Sequence, residues 1–184
     1  LVGSSSLRRQ SQILKLRPDL RVKNLRGNVN TRIDKLESGD YDAIILAEAG
    51  LDRLELSSKI SQTFSTAEMV PAAAQGVIGI ECLRQKDEII EIVSRLNDLE
   101  TEVTTNCERS VNSALFADCH SPIGSYATYA NGKCRLESIV ISPDGSIEAR
   151  DSVTGSANKA EELGLELADR LKQIGAIEIL KLAR

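Results

Sequence analysis

Two pairs of arginines stand where the chain should present free backbone N–H groups. Arg8 and Arg9 follow the serines of SSSLRRQSQILKLRP and fall in the first turn of the helix this stretch predicts, which the serine run is able to cap and Pro18 stops. Cations at that end oppose the helix dipole, at a cost of a few tenths to about 1 kcal/mol each, unless an anion sits there. With an anion in place, amides, serine hydroxyls and guanidinium forks act together. The device recurs with Arg26 at the end of the next predicted strand and Arg32 entering the next predicted helix. Both sites would lie at the carboxyl ends of neighbouring strands, where open α/β sheets bind ligands. Convergent arginines suit a ligand with several carboxylates or phosphates. Neither GxxxxGKS/T nor GxGxxG occurs, so neither a P-loop nucleotide nor a Rossmann dinucleotide is indicated.

The second candidate is the thiol of LFADCHSPIGSY, where Cys119 stands beside His120, the chain's only histidine. Cys82, Cys107 and Cys134 read as small buried hydrophobes. Cys119 differs because its loop is polar, and neither the preceding helix C-terminus nor Asp118 favours a thiolate there. The roles open to it are packing, metal, disulfide, nucleophile or anchor. A Cys119–His120 nucleophilic dyad is disfavoured, since neighbours in an extended segment point to opposite sides and catalytic pairs are ordinarily distant in sequence. One histidine and scattered thiols make a poor metal site. Four cysteines in 184 residues also fall short of a disulfide scaffold.

The frame that must hold these residues reads as α/β. LVG ends one strand, LRVKNL is the next, TRIDKLESG is a helix closed by Gly39, and YDAIILA is a continuous apolar strand of the kind buried in a parallel sheet. Past Pro71 and Gly76, GVIGIECL reads as a strand, while KDEIIEIVSRLNDL and ETEVTTNCERSVNSALF read as amphipathic helices. The texture then changes. Turn signals at Asn131-Gly132 and Asp144-Gly145 mark an antiparallel meander, followed by a helix over about 158–173 with Ala160, Leu163, Leu167 and Leu171 on its apolar stripe.

Composition sets the outer bounds. Hydrophobic residues make up 41% of the chain, a globular share, but aromatics only 3%, so the core must be built from aliphatic side chains. Residues 1–33 hold eight Lys or Arg against Asp19, a net +7 that leaves −11 for the remainder and puts any anion site near the N-terminal end. A nucleic-acid backbone is disfavoured, because stacking aromatics are scarce and the chain as a whole is acidic. No stretch approaches the roughly 20 apolar residues of a membrane span, so cytosol is the expected compartment. LVGSSS reads as the tail of a strand whose beginning is absent, which suggests a fragment.

Three blocks, taken in order, amount to a resemblance: VGSSSLRRQSQILKLRPDLRVKNLRGNVNTRIDKLESGDYDAIILAEAGLDRL, PAAAQGVIGIEC and ERSVNSALFADCHSPIGSY. They are similar to signature blocks of the porphobilinogen deaminase (hydroxymethylbilane synthase) family, over nearly the whole chain. The resemblance implies a transferase of heme and tetrapyrrole biosynthesis that condenses four porphobilinogen molecules into hydroxymethylbilane, losing ammonia at each step. It implies a dipyrromethane cofactor on Cys119 through a thioether, which would make the thiol an anchor. Arg8, Arg9, Arg26 and Arg32, with Ser6 and the Gly27 backbone, would hold cofactor and substrate carboxylates. Arg53 would be a further cleft arginine and Gln75 part of a hinge-like segment on the substrate side.

The implied fold is a periplasmic-binding-protein-like second domain with a mostly parallel sheet over 1–70, a strand and helix over 71–97 returning to a missing first domain, and a C-terminal α+β domain over 98–184 with a three-stranded antiparallel sheet. The family's catalytic aspartate would lie in the missing domain, no acidic residue here matches it, and His120 falls at a variable position. The expected partners are porphobilinogen and its polypyrrole intermediates, with no nucleic acid or membrane. A full-length monomer is expected, whereas the 184-residue chain is expected to be inactive, with residues 71–97, exposing Val77, Ile78, Ile80, Ile89, Ile90 and Val93, either poorly ordered or paired with another copy. The rival readings are a reversible anion- or solute-binding module without covalent cofactor, and a thiol-dependent hydrolase.

Overall fold

In the computed structural model, which describes residues 1–183, β1 (Val2–Gly3) lies between β2 (Val22–Lys23) and β3 (Ala43–Ile44), all parallel. Alternation along β1 sends Val2 and Gly3 to opposite faces. Val2 packs with Ile13 of α1 (Leu7–Leu16), Ile45 and Met69. A side chain at Gly3 would meet Tyr41 at 2.9 Å, so the other layer can close only over glycine. Helix α1 ends where Arg17 N–H closes on Ile13 O at 2.8 Å and Pro18 offers no N–H to continue. Helix α2 (Val29–Glu37) starts on Asn28, whose side chain accepts from Thr31 N–H at 2.9 Å, and runs out before Gly39 at φ +82. A short α3 (Glu48–Asp52) follows β3.

Two expectations about strands are corrected. YDAIILA is paired only over Ala43–Ile44, because β1 offers it a two-residue edge; Ile45 N–H adds one more bond to Gly3 O at 3.1 Å. GVIGIECL forms no strand at all: no ladder partner lies beside it among the described residues, and Ile78 is 74% exposed. Extended backbone becomes a strand only where a neighbour takes its N–H and C=O groups. Val77, Ile80, Ile89 and Ile90 are exposed as well, while Val93 of α4 (Asp87–Ser94) is half-buried.

The C-terminal unit is built on α5 (Leu99–Ala114), capped by Asp98, whose carboxylate accepts from Thr101 N–H at 2.8 Å. Strands β4 (Ile123–Ala130), β5 (Lys133–Ile141) and β6 (Glu148–Ser156) form the antiparallel meander in that order. Asn131 and Gly132 both have positive φ, +51 and +71, as a tight hairpin turn demands. Helix α6 (Ala160–Gln173) buries the expected stripe, Ala160, Leu163, Leu167 and Leu171, against Val111 and Leu136. The sequence reading did not include α7 (Ala176–Lys181), which restarts after Gly175 at φ +95 and covers the core with Ile179 and Leu180.

Among the described residues the two units meet at Val70 and at the turn between β5 and β6. Val70 packs on Ile139 and Ile141, and the absence of a side chain at Gly124 admits the Val70 carbonyl, to which an added Cβ would stand at 2.8 Å. The turn between β5 and β6 also rests on α1, through the Lys15–Glu148 ion pair and through Gly145 at φ +79. A Cβ on Gly145 would lie 2.5 Å from Lys15 N. Gly145→Val is therefore expected to lower stability by about 2–4 kcal/mol in urea unfolding, adding overpacking to left-handed strain. Gly132→Val, where nothing lies within 4 Å of the new carbon, should cost only the strain, about 1–2 kcal/mol. Equal losses at the two glycines would show that the contact with α1 contributes nothing.

Candidate functional site

The carboxyl edge of the parallel sheet carries the arginines. After β1, Ser6 occupies the N-cap of α1, but its hydroxyl makes no capping bond; its carbonyl accepts from Arg9 and Gln10 N–H, both at 3.0 Å. The serine cap expected from the sequence is thus corrected: the backbone, not the hydroxyl, closes the first turn. Gln10 Nε2 donates to Ser4 O at 2.6 Å and to Asn24 Oδ1 at 3.1 Å, tying the loop after β1 to the loop after β2. In that second loop Gly27 has φ +125, a Cβ there would sit 2.9 Å from the Thr31 side chain, and its carbonyl accepts from Arg32 Nε at 2.8 Å.

Arg8 is turned inward, 6% exposed, with Nη1 donating to Val70 O at 2.6 Å and Nη2 to Gln75 Oε1 at 2.9 Å. Burial, and then the charge of Arg9, brings its pKa down to about 10. Arg9, half-buried, donates to Ile45 O at 3.3 Å, and its pKa is lowered by burial and then by the charge of Arg32. The charge of Arg9 thus acts on Arg8, and that of Arg32 on Arg9. None of them forms an ion pair among the described residues, and the same holds for Arg26 and for Arg53 at the end of α3. A cavity of about 780 Å³ opens beside Arg8 and Arg9, walled by these and Gln75, by apolar side chains such as Ile13, Phe64 and Met69, and by the acidic Glu37, Asp42, Glu48 and Glu68. Arg26, Arg32, Arg53 and Cys119 are not among its walls.

Arginines held by neutral oxygens rather than by carboxylates, beside a partly apolar cavity, keep their charge for a ligand and suit an apolar body bearing several carboxylates. A pyrrole with carboxylate side chains is such a body. The donor set therefore fits a dipyrromethane.

Cys119 sits on the corner between α5 and β4, exposed, in a turn and not in an extended segment. Its Sγ lies 3.3 Å from His120 Nδ1, which corrects the expectation that the neighbours face apart; the turn folds both side chains to one side. A nucleophilic triad is still incomplete, because Asp118 Oδ1 accepts from the His120 backbone N–H at 2.9 Å and from Ser121 Oγ at 3.0 Å rather than from the imidazole. Cys107 and Cys134 are fully buried, and burial pushes both thiols up and out of reach of thiolate chemistry. Cys82 is half-buried. Among the described residues no group of His, Cys, Asp and Glu could hold a metal ion, and no helix is long and apolar enough to cross a membrane.

Residues 1–91 match the family model described as the porphobilinogen deaminase dipyrromethane cofactor binding domain, and residues 102–173 match that of the porphobilinogen deaminase C-terminal domain. The chain belongs to the porphobilinogen deaminase family. It is thereby a member of a family of transferases of porphyrin and tetrapyrrole biosynthesis, and the first of its two regions is of the kind that binds dipyrromethane.

Three side chains that hold this region together carry little signal in the sequence pattern. Gln10 and Gln12 look like ordinary polar residues of an amphipathic helix, although Gln12 lies one turn beyond Arg8 on the same face. Glu108, only 7% exposed on α5, is the third. Its signal was weak: an acid between Cys107 and Val111 on a helix face that is otherwise apolar.

The anchor-loop geometry has a pH signature. Bonds from the His120 backbone and the Ser121 hydroxyl hold the Asp118 carboxyl below its ordinary 3.8. A depressed folded pKa means the loop bonds are intact above 3.8 and are lost as pH falls through the lower folded value. The side-chain carboxyl carbon resonance of Asp118 should therefore titrate with its midpoint below 3.8, and Ser121→Ala, which removes one donor, should move that midpoint upward. A midpoint at or above 3.8 would show that these bonds do not favour the carboxylate.

Proposed function

We propose that this chain supplies the cofactor-anchoring and carboxylate-binding parts of an enzyme that condenses four porphobilinogen molecules into hydroxymethylbilane with release of ammonia, in heme and wider tetrapyrrole synthesis. The observation that supports the reading is that Arg8, Arg9 and Arg32 are each held by neutral oxygens, with no ion pair to any of them among the described residues. In this reading residues 1–70 form most of a periplasmic-binding-protein-like second domain, 71–97 return toward a first domain, and 98–184 form the C-terminal domain.

Cys119 holds the dipyrromethane by a thioether, for which its exposure is a requirement. When bound, the cofactor supplies the primer to which pyrrole units are added. The work of the chain's own residues is binding and orientation. Arg9, Arg26 and Arg32, with the Ser6 and Gly27 backbone beside them, pair with acetate and propionate groups through planar forks. Arg8 joins them from the cavity wall, and Arg53 and Gln75 stand further along the path of the substrate. Tethering makes each addition effectively intramolecular, so modest carboxylate contacts suffice to orient the reacting ring. By the family resemblance the catalytic aspartate lies outside these residues, so the 184-residue chain alone does not turn over porphobilinogen.

Intact-mass measurement on the full-length enzyme containing these residues tests the anchor. A dipyrromethane adduct should map to the peptide carrying Cys119 and disappear in Cys119→Ser. An adduct on Cys82, Cys107 or Cys134, or carboxylate binding with no adduct at all, would overturn the assignment, the latter in favour of a reversible binding module. In the same enzyme Arg9→Leu or Arg32→Leu should slow pyrrole addition about 10- to 100-fold, the equivalent of one charge-assisted hydrogen bond. Arg135→Leu, on an exposed position of β5, is the control and should leave the rate unchanged.

A further inference from the structure

The segment that leaves the parallel sheet is gripped from both units. From α1, the buried Gln12 carboxamide accepts from Val70 N–H at 2.7 Å and donates to Val70 O at 3.1 Å, and Arg8 Nη1 donates to the same carbonyl at 2.6 Å. From α5, Glu108 Oε2 accepts from Ala74 N–H at 2.7 Å while its Oε1 accepts from Ala127 N–H of β4 at 2.8 Å. Ala74 has φ +58, a left-handed conformation that a residue with a Cβ adopts only when its surroundings hold it. The next residue, Gln75, is the one whose Oε1 receives Arg8 Nη2.

The choice of a carboxylate here is informative. Glu108 is buried with no cation paired to it among the described residues, and desolvation disfavours its charge. Both of its neighbours are N–H donors, and only a group with two acceptor oxygens serves both; a glutamine would turn an NH2 toward one of them. The two carboxyl oxygens of Glu108 thus hold Ala74 and Ala127 together.

We propose that Glu108 is a positioning residue for Arg8: by fixing Ala74 against β4 it sets the place of Gln75, and Gln75 with the Val70 carbonyl holds the Arg8 guanidinium at the cavity wall beside Arg9. The functional side of this rests on reading the arginine cluster as a carboxylate site. Its structural side does not. A group on the C-terminal unit thereby governs an arginine on the parallel-sheet unit, through a segment that belongs to neither sheet.

The test is Glu108→Gln in the full chain, read first by the exchange of the Arg8 guanidinium protons in NMR spectra. Protection at Arg8 should fall about tenfold, while Arg135 and the amides of β5 and β6 stay as they were. Ala74→Gly on the Glu108→Gln background should recover part of it, because glycine reaches positive φ without the steric cost an alanine carries there. If the glutamine variant fails to fold, Glu108→Asp, which retains two acceptors at shorter reach, replaces it with the same expected loss at Arg8. Titration with citrate as a polycarboxylate probe reads function: its affinity should drop about fivefold in Glu108→Gln, and that drop should vanish on an Arg8→Leu background. Unchanged Arg8 protection alongside an exposed Ala74 amide would overturn the proposal, as would an equal citrate effect with and without Arg8. Should the unsubstituted chain not bind citrate, the carboxylate reading fails, and the exchange data alone decide the role of Glu108.

Discussion

Holding Arg8, Arg9 and Arg32 without pairing any of them to an acid is the constraint around which this chain is organised. Like charges at close range repel, and partial burial strengthens the repulsion by removing the water that would screen it. The structure answers with neutral oxygen acceptors. Val70 O and Gln75 Oε1 take Arg8, Ile45 O takes Arg9, and Gly27 O takes Arg32. Each acceptor fixes a guanidinium without cancelling its charge. A carboxylate in any of these places would have satisfied the arginine and removed the site.

Stability then has to come from elsewhere, and the distribution of core residues reflects this. The parallel sheet is three strands of two residues each, with a small cluster around Val2, Ile13, Ile45 and Met69. The C-terminal unit, by contrast, buries Leu136, Leu167, Leu171, Val111 and Val140 completely or nearly so, and side chains of this size contribute about 1.5–3 kcal/mol each. Its contacts through Val70, Gly124 and Gly145 lend that rigidity to α1, the helix bearing Arg8 and Arg9. The well-packed unit acts as the base on which the charged one is mounted.

Much of this was legible in the residues. Pro18 and Gly39 end their helices as read, the Asn131-Gly132 hairpin forms, and the stripe of α6 is buried at all four positions, because these signals are local and their physics is settled within a turn or two. The placement of Arg8 and Arg9 in the first turn of α1 was legible for the same reason. What local pattern does not carry is partnership. GVIGIECL has the composition of a strand but no neighbouring edge, so it stays unpaired. Cys119 and His120 meet because Asp118 accepts from the His120 backbone and turns the loop, which composition alone does not dictate. The inward turn of Arg8 depends on Val70 and Gln75, more than sixty positions away, and no periodicity along α1 announces it.

On the proposed function, the separation of the thiol from the arginines follows from the needs of a growing chain. An anchor must stay put while every other contact is remade after each addition. A covalent bond to an exposed cysteine meets the first demand. The second calls for contacts that are individually weak, and a solvated ion pair, at about 0–1 kcal/mol, is weak enough to exchange. Exposed Arg26 and Arg53 and half-buried Arg9 and Arg32 are suited to such exchange, whereas fully buried arginines with fixed carboxylate partners would trap the first product. Arg8, the one buried member, is also the one whose hold runs through the segment between the two units.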